Sequence, residues 1–387
     1  MLVTKKFRWR RGNGRMEPIG LYLHIPFCRG KCPYCDFYSM RADAERMDTY
    51  TKALEETLAT CAARTGRAAD TFYFGGGTPS LLGGKRIASL VDTARAHYGL
   101  ADAEITVECN PSDTDGRLFE MLARAGVNRI SLGLQSAVDG ERKALGRRAG
   151  VREVAECLRL AKAAGITNLS LDLMLGIPGQ TVDSLRRSID FCVQAGVTHI
   201  SAYLLKIEEG TLFARRQEKL SLPDEDAVCD FYEQACESLS EAGFRQYEIS
   251  NFAQPGFESR HNLKYWNAEE YLGLGASAHS FLEGKRFFYP RDIDAFLRGE
   301  APVPDGAGGG FEEYAMLRLR LTEGLREDLL SRRYGCGIPD EMRRAAQQLA
   351  GYGLLEQNEG GIRLTRKGFL LSNAVIAELL YDADAAD

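Results

Sequence analysis

Three cysteines crowd into eight residues of this sequence, at Cys28, Cys32 and Cys35, within the stretch LYLHIPFCRGKCPYCDFYS. Thiolates at this C-x3-C-x2-C spacing can ligate three irons of a [4Fe–4S] cubane. The fourth iron then has no protein ligand, so it can chelate the amino and carboxylate groups of a small molecule. Tyr34 precedes the third cysteine and is placed to shield the cluster or to pack on an adenine ring. The pattern predicts a cluster with one open iron.

Two other roles for these cysteines are less favoured. A zinc site needs a fourth ligand at similar spacing, and Asp36 is a poor partner for three soft thiolates. A disulfide beside a free thiol requires an oxidising compartment, whereas the N-terminus lacks the apolar segment of a secretory signal. The chain is therefore expected to be cytoplasmic.

A glycine-rich turn, YFGGGTPSLL, follows the second predicted strand and contains Gly76, Gly77 and Thr78. Glycines let a ligand approach the main chain closely, and exposed N–H and C=O groups can bind the methionyl end of S-adenosylmethionine (SAM). A glycine triplet alone is weak support, because a tight strand-to-helix turn has the same sequence. After a cysteine triad, it favours a SAM site.

Polar residues follow the ends of successive predicted strands. They are Glu108 in ITVEC, Gln135 in LGLQS, Arg147 in LGRRAG and Asp172 in LSLDLML. A carboxylate inside an apolar strand is costly unless it is paired or meets a ligand. Carboxylates suit ribose hydroxyls or an amine, and an arginine suits a carboxylate. Each residue alone is equally compatible with a structural ion pair, but together they predict one ligand site.

Short β-rich runs alternate with longer helical patterns in the first half of the chain. The predicted strands are Leu21–Ile25, Thr71–Phe74, Glu104–Glu108, Arg129–Leu132, Asn168–Leu173 and His199–Tyr203. The predicted helices are Ala44–Thr65, Gly84–Ala96, Thr114–Ala125, Val151–Ala164 and Val182–Ala195. This alternation implies an α/β fold with a parallel sheet, and six units fit a partial (β/α)6 barrel. A doubly wound sheet is the competing arrangement; both place functional loops at the carboxyl ends of the strands.

Four segments are predicted along the chain. Residues 1–17 form a basic, disordered tail, for which Met16 is an alternative start and contact with anionic lipid or a partner is an alternative role. Residues 18–215 form the barrel, and residues 216–302 form an accessory segment. Residues 303–387 begin with a linker at 303–310 and continue as a winged-helix-like module of three helices and a hairpin.

Composition limits the classes of partner. The net charge is −5, so there is no general basic field for nucleic acid, and the C-terminal module is interpreted as structural. No run approaches the ~18 consecutive apolar residues that a membrane span needs. A scaffold or nucleic-acid module has little support, because it would leave the cysteine triad without a role.

The motifs YLHIPFC, GGGTPS, GLQS, DLMLGIPGQT and HNLKYW together resemble radical SAM proteins of the oxygen-independent coproporphyrinogen III oxidase-like group. The resemblance covers nearly the whole chain. It implies cluster ligands at Cys28, Cys32 and Cys35. It implies SAM contacts at Tyr22, Gly76, Gly77, Thr78, Glu108, Gln135, Arg147, Asp172 and Ala202. Some of these positions serve a second SAM in the true oxidase, so the number of SAM molecules bound stays open.

One position separates two functions within this group. The true oxidases carry a further cysteine two residues beyond the triad, where this chain has Phe37. The heme-chaperone branch carries H-N-x-x-Y-W, present here as the four residues His261, Asn262, Tyr265 and Trp266. That branch often has cysteine where this chain has Ser259, so no thiolate role is expected there.

The resemblance implies heme as a third cofactor beside the cluster and SAM. A neutral imidazole is a natural axial ligand of heme iron, and aromatic neighbours can cover the macrocycle. His261 is the first candidate ligand and His279 the second, while Arg260 or Lys264 could meet a propionate. Alternatively, His261 is a structural histidine in the core. His24 lies near the cluster and is expected to orient its loop.

Two functions follow from these features. The favoured one is a heme chaperone that passes heme to respiratory or storage proteins, with peripheral membrane association and a homodimer left open. The alternative is an enzyme that cleaves SAM to a 5′-deoxyadenosyl radical and oxidatively decarboxylates coproporphyrinogen III.

Overall fold

The computed structural model describes residues 17–381. Apart from Glu17, the predicted disordered tail of residues 1–17 lies outside the described residues, and so does the alternative start at Met16. The strands are β1 (Ile19–Ile25), β2 (Ala69–Gly76), β3 (Glu104–Cys109), β4 (Arg129–Gln135), β5 (Asn168–Leu175), β6 (His199–Leu204), β7 (Arg245–Gln246), β8 (Asn251–Ala253), β9 (Tyr271–Leu274), β10 (His279–Leu282), β11 (Lys285–Phe288), β12 (Val303–Ala307), β13 (Leu325–Arg326), β14 (Leu355–Asn358) and β15 (Gly361–Leu364).

Helices follow most strands of the first half and dominate the C-terminal part. They are α1 (Ala44–Thr65), α2 (Gly83–Tyr98), α3 (Gly116–Ala125), α4 (Asp139–Ala144), α5 (Val151–Ala163), α6 (Val182–Gln194), α7 (Leu212–Arg215), α8 (Glu225–Glu241), α9 (Arg260–Trp266), α10 (Ile293–Leu297), α11 (Phe311–Arg318), α12 (Glu327–Tyr334), α13 (Asp340–Gly351), α14 (Arg366–Leu370) and α15 (Ser372–Tyr381). No helix within residues 17–381 combines the length and apolarity needed to cross a membrane.

The wall of the molecule consists of β1 to β6, which pair in parallel and in chain order. A doubly wound sheet would reverse its strand order at a switch point. Here every crossover advances to the next strand in the same direction, so right-handed connections place the helices on one face. The predicted partial (β/α)6 barrel is confirmed, and the doubly wound alternative is excluded.

Alternate residues of the wall strands face opposite sides, and the two sides differ in polarity. The outer side belongs to the main hydrophobic core, as for Leu21, Leu23 and Ile25 of β1. The residues between them, Tyr22 and His24, belong to a polar inner side that is lined by all six strands. This inner side forms the lumen in which a polar ligand can bind.

The wall is extended at both edges. On one side β9 pairs in parallel with β1, and β10, β11 and β12 continue the sheet antiparallel; on the other, β8 and β7 follow β6. Residues 303–310 are therefore not a simple linker as predicted, because Val303–Ala307 forms the edge strand β12 against β11. Pro304 and Gly306 are untypical of a strand, so the sequence did not predict β12. The strand is defined by its pairing with Phe287 and Phe288 of β11.

The C-terminal part contains the predicted helices and hairpin. Strands β14 and β15 pair antiparallel, which confirms the hairpin, and β13 adds a third strand beside β15 that was not predicted. Leu330, Ala346 and Leu379 are fully buried there and belong to the main core. The winged-helix likeness of this module stays a prediction.

Tyr50 provides a test of how α1 is joined to the sheet. Its hydroxyl donates to the carbonyl of His24 at 2.9 Å and accepts from the N–H of Ala276 at 3.0 Å, and the side chain is fully buried. Tyr50→Phe leaves both main-chain groups without this partner, so we expect a loss of about 1–3 kcal/mol in unfolding free energy, measured by denaturant titration. Tyr352→Phe is the control, since Tyr352 is 71% exposed; an equal loss there would contradict the assignment.

Candidate functional site at the barrel mouth

The cysteine loop leaves the carboxyl end of β1. Its ends are joined by main-chain hydrogen bonds, because Cys28 N–H donates to the Met40 carbonyl at 2.9 Å and Met40 N–H donates to the Pro26 carbonyl at 2.8 Å. Cys28, Cys32 and Cys35 are free, half-buried thiols. All three predicted cluster ligands therefore lie on one closed loop at the barrel mouth.

The donor set fits a cubane better than a single ion. Within residues 17–381, no group of three or more His, Cys, Asp or Glu side chains converges on a point that could hold a metal ion. Three thiolates that each bind a different iron of a cubane do not need to converge on one point. The number and chemistry of these thiols match the predicted cluster ligands, and the cluster itself stays a prediction.

The glycine turn after β2 packs directly on the cysteine loop. Gly77 N–H donates to the Ile25 carbonyl at 2.9 Å, and Thr78 N–H donates to the Phe27 carbonyl at 2.8 Å. The Thr78 hydroxyl lies 3.4 Å from the Cys28 sulfur. The N–H groups of Gly77 and Thr78 therefore hold the cysteine loop, so a contact of either residue with SAM would need other atoms. The predicted SAM contacts of Gly76, Gly77 and Thr78 stay predictions.

His24 fixes the far side of the same loop. Its Nε2 lies 3.1 Å from the Tyr38 carbonyl and must donate to it, so Nδ1 accepts from the Tyr22 hydroxyl at 3.1 Å. Burial lowers the pKa of His24 to about 4, which keeps the ring neutral and this tautomer in place. The structure agrees with the expectation that His24 orients the loop.

Two predicted carboxylates lie inside the lumen, one on β3 and one on β5, with β4 between them. Glu108 accepts from the Tyr73 hydroxyl at 2.8 Å, and Asp172 accepts from the Ser131 hydroxyl at 3.2 Å. Burial raises the pKa of Glu108 to about 7, while the bond from Tyr73 lowers it. Burial also raises the pKa of Asp172, against hydrogen bonds from Ser201 and Ser131. Glu108 therefore changes charge near neutral pH.

Gln135 shows two marks of a ligand site. Its φ is +69°, in the left-handed region that a glutamine rarely adopts, and it follows a register irregularity at the end of β4. Its side-chain oxygen is buried without a hydrogen-bond partner within residues 17–381. Strain and an unsatisfied oxygen at one residue point to a group that binds there.

Arg147 and Tyr34 complete this side of the mouth. Arg147 donates to the Gly133 carbonyl at 2.5 Å and lies close enough to Tyr34 and Asp172 to affect their pKa values. Tyr34 packs on Phe213, with ring centroids 6.2 Å apart, which shields the cysteine loop from one side. The structure thus brings Gln135, Arg147, Asp172 and the loop together.

Ala202 occupies a different position from the other predicted SAM residues. It alternates with Ser201, which faces Asp172, so its methyl group belongs to the outer core. Its N–H already donates to the Ser250 carbonyl at 2.7 Å. Any contact of Ala202 with SAM would therefore involve its carbonyl group alone.

Tyr73 and Arg129 line the lumen but were not predicted. Arg129 is 2% exposed, and Glu104, Tyr73 and Asp172 are near enough to interact with its charge. Both residues fall on the alternate, polar positions of their strands. A parallel sheet covered on both faces should be apolar throughout, so this alternation was the sequence signal for a polar lumen.

The H-N-x-x-Y-W motif forms α9, which closes the amino end of the barrel. Ser259 caps the helix by accepting from the Asn262 N–H at 3.4 Å, a role for which serine is well suited. Glu104, at the start of β3, accepts from the N–H groups of Arg260 and His261 at 3.2 and 3.1 Å. Trp266 ends the helix and is half-buried.

His261 has no free nitrogen in this structure. It is 1% exposed; Nδ1 bonds with the Thr71 hydroxyl and Nε2 with the Tyr265 hydroxyl, each at 2.8 Å. Its ring stacks on Tyr73 at 5.2 Å, and burial lowers its pKa to about 3. This arrangement does not fit the predicted role of heme ligand, and the alternative of a structural histidine describes it better. Periodicity could not show that both nitrogens find partners.

The predicted propionate partners on α9 are also engaged. Lys264 is 4% exposed and bonds with Asp70 at 2.9 Å and with Glu269 at 3.1 Å. Arg260 donates to the Asp102 carbonyl at 2.8 Å. Both cations therefore stabilise the floor of the barrel.

Gly77→Ala tests the contact between turn and loop. A Cβ at this position would lie 2.8 Å from the Phe27 oxygen and 2.9 Å from the Ile25 oxygen, so the loop must move. We expect far-UV circular dichroism to persist while the iron bound after anaerobic reconstitution falls. Gly140→Ala is the control, because a Cβ added there would have no atom within 4 Å. Full iron loading of Gly77→Ala would contradict this account.

Because the pKa of Glu108 is raised to about 7, we predict that the affinity for SAM depends on pH. A carboxylate binds hydroxyl or ammonium groups better than a carboxylic acid, so affinity should rise as the pH passes through about 7. Tyr73→Phe removes a hydrogen bond that lowers this pKa, so the midpoint should move to higher pH. Equilibrium dialysis across pH measures it, and Glu108→Gln should flatten the curve; an unchanged curve in Glu108→Gln would exclude Glu108 as the titrating group.

Comparisons with known proteins agree with this geometry. Residues 22–192 match the Radical SAM superfamily, and residues 311–371 match the HemN C-terminal domain. A solved structure of coproporphyrinogen III oxidase (HemN) from Escherichia coli superposes with a TM-score of 0.81 at 23% identity, covering 94% of this chain and 90% of that chain, which shows a shared fold.

Curated relatives identify the family. Heme chaperone HemW of Mycobacterium tuberculosis is 40% identical, covering 94% of this chain and 95% of the relative. Heme chaperone HemW of Escherichia coli is 36% identical, covering 95% of this chain and 100% of the relative. Identity at this level over nearly full length, on a radical SAM barrel with its three cysteines in place, shows that the chain belongs to the HemW family of radical SAM proteins.

Proposed function

We propose that this chain is a heme chaperone that holds a [4Fe–4S] cluster and SAM at the barrel mouth and delivers heme to respiratory or storage proteins. The observation that carries the proposal is the cysteine loop. It offers three free thiols, and Phe37, 65% exposed, stands where the oxidases of this group carry another cysteine. The names of the relatives supply the heme-chaperone part of the proposal.

Cys28, Cys32 and Cys35 would hold the cluster. When bound, such a cluster supplies an open iron for the amino and carboxylate groups of SAM and a centre for one-electron transfer. Thr78 and the neighbouring main chain fix the loop, and the apolar contact of Tyr34 with Phe213 limits access of water to it.

The remaining residues of the lumen would bind and orient SAM. Arg147 is suited to its carboxylate, and Glu108 and Asp172 to its hydroxyl or ammonium groups. The unsatisfied oxygen of Gln135 would gain a donor from the ligand. Tyr22, held by its hydrogen bond with His24, would place its aromatic ring beside the bound SAM.

A cytoplasmic location, peripheral association with a membrane and a homodimer belong to the same proposal. A chaperone that serves respiratory proteins must approach membranes. Cell fractionation tests the location and the membrane association, and sedimentation of the cluster-loaded chain tests the homodimer.

One anaerobic sample distinguishes chaperone from oxidase. Reconstituted protein should bind hemin with a Soret band and should transfer it to a heme-depleted acceptor, while coproporphyrinogen III with SAM and dithionite should yield no protoporphyrinogen. A triple replacement of Cys28, Cys32 and Cys35 by alanine should lose the cubane absorption and serves as the cluster-free control. Formation of protoporphyrinogen by the intact protein would replace the chaperone proposal with the enzyme alternative.

A further inference from the structure

Three of the five histidines cannot reach a heme iron in this structure. His24, His199 and His261 are each buried, and in each ring both nitrogens are hydrogen-bonded. For His199 the partners are the Ser170 hydroxyl at 2.8 Å and the Tyr247 hydroxyl at 2.9 Å. An axial ligand needs a free nitrogen, so His97 and His279 remain.

His279 begins β10 and is exposed. Within residues 17–381, neither ring nitrogen of His279 has a hydrogen-bond partner. Its ring stacks on Phe288, directly opposite on β11, with centroids 5.2 Å apart and planes inclined by 23°. The imidazole is therefore held by an aromatic face that leaves its nitrogens accessible.

The end of this hairpin is joined to the cysteine loop. Arg291, just beyond β11, bonds with Asp36 at 3.1 Å, and the Ile293 N–H donates to the Tyr38 hydroxyl at 3.1 Å. His279 and Arg291 are both near enough to His24 to affect its pKa. The exposed imidazole thus lies on the rim of the barrel mouth beside the predicted cluster.

The surroundings of His279 match the chemistry of heme. Phe288 and the exposed Phe37 of the cysteine loop offer apolar surface to a macrocycle. The Arg291 side chain is 60% exposed, so a propionate can meet it beside its ion pair with Asp36. His97 lacks this setting, because it lies in the last turn of the outer helix α2, away from the mouth.

We propose that His279, rather than His261, is the axial ligand of the heme iron, and that heme lies on the rim formed by Phe288, Arg291 and the cysteine loop. This inference rests on the proposed heme-chaperone function. It places the heme beside the cluster and SAM, so that binding of the cluster at the cysteine loop and binding of heme at the rim can influence each other. His261 is then a positioning residue whose ring stacks on Tyr73.

Hemin titration of the anaerobically reconstituted full chain tests the proposal. His279→Ala should weaken binding by about tenfold or more and alter the Soret band, whereas His97→Ala, the matched exposed histidine, should behave as the parent. His279 is exposed, so its replacement should leave circular dichroism unchanged. His279→Met should keep a ligand but raise the reduction potential of the bound heme, because thioether replaces imidazole.

The outcomes separate the two proposals. If the parent protein binds no heme, the chaperone function fails. If the parent binds heme and His279→Ala and His279→Met share its affinity, Soret band and potential, the function stands and the assignment to His279 is wrong. A folded His261→Gln variant that loses the Soret band would restore the motif histidine as ligand.

Discussion

Close main-chain contact between the glycine turn after β2 and the cysteine loop after β1 is the constraint on which the site depends. Gly77 has no room for a Cβ, and its N–H and that of Thr78 are used to hold the loop. On the other side, His24 donates to the Tyr38 carbonyl. A loop held from both sides keeps its thiols in a fixed position relative to the lumen, as a site for a cluster and a small ligand requires.

Closing parallel strands into a partial barrel also encloses a polar lumen. Arg129, the first residue of β4, is buried in this lumen, where removing a charge from water would cost several kcal/mol without compensation. Glu104 and Asp172 supply that compensation, and Tyr73 donates a hydrogen bond to Glu108. The carboxylates nearest the mouth consequently sit in a pre-organised field. Burial raises the pKa of Glu108, and the hydrogen bond from Tyr73 and the charge of Arg129 oppose that rise.

The H-N-x-x-Y-W motif and the β10–β11 hairpin illustrate how a histidine's setting decides its role. His261 is closed off by Thr71 and Tyr265 at the floor of the barrel, whereas His279 is open at the rim. A buried imidazole with both nitrogens satisfied stabilises its surroundings, because breaking those bonds leaves polar groups unpaired. An exposed imidazole against an aromatic ring is available for a metal.

The order of the six barrel strands and of the helices that follow them, the cysteine triad and the polar residues at the strand ends could be predicted from the sequence, because hydrophobic period and ligand spacing are local properties of the chain. Strand β12, which contains Pro304 and Gly306, depended on pairing with β11. The hydrogen bonding of His261 depended on one partner within its own motif, Tyr265, and on a second partner 190 residues away, Thr71 in β2. The outward position of Ala202 and the unsatisfied oxygen of Gln135 were likewise decided only by tertiary structure. Burial and hydrogen-bond partners arise from contacts between distant segments, and no local pattern encodes them.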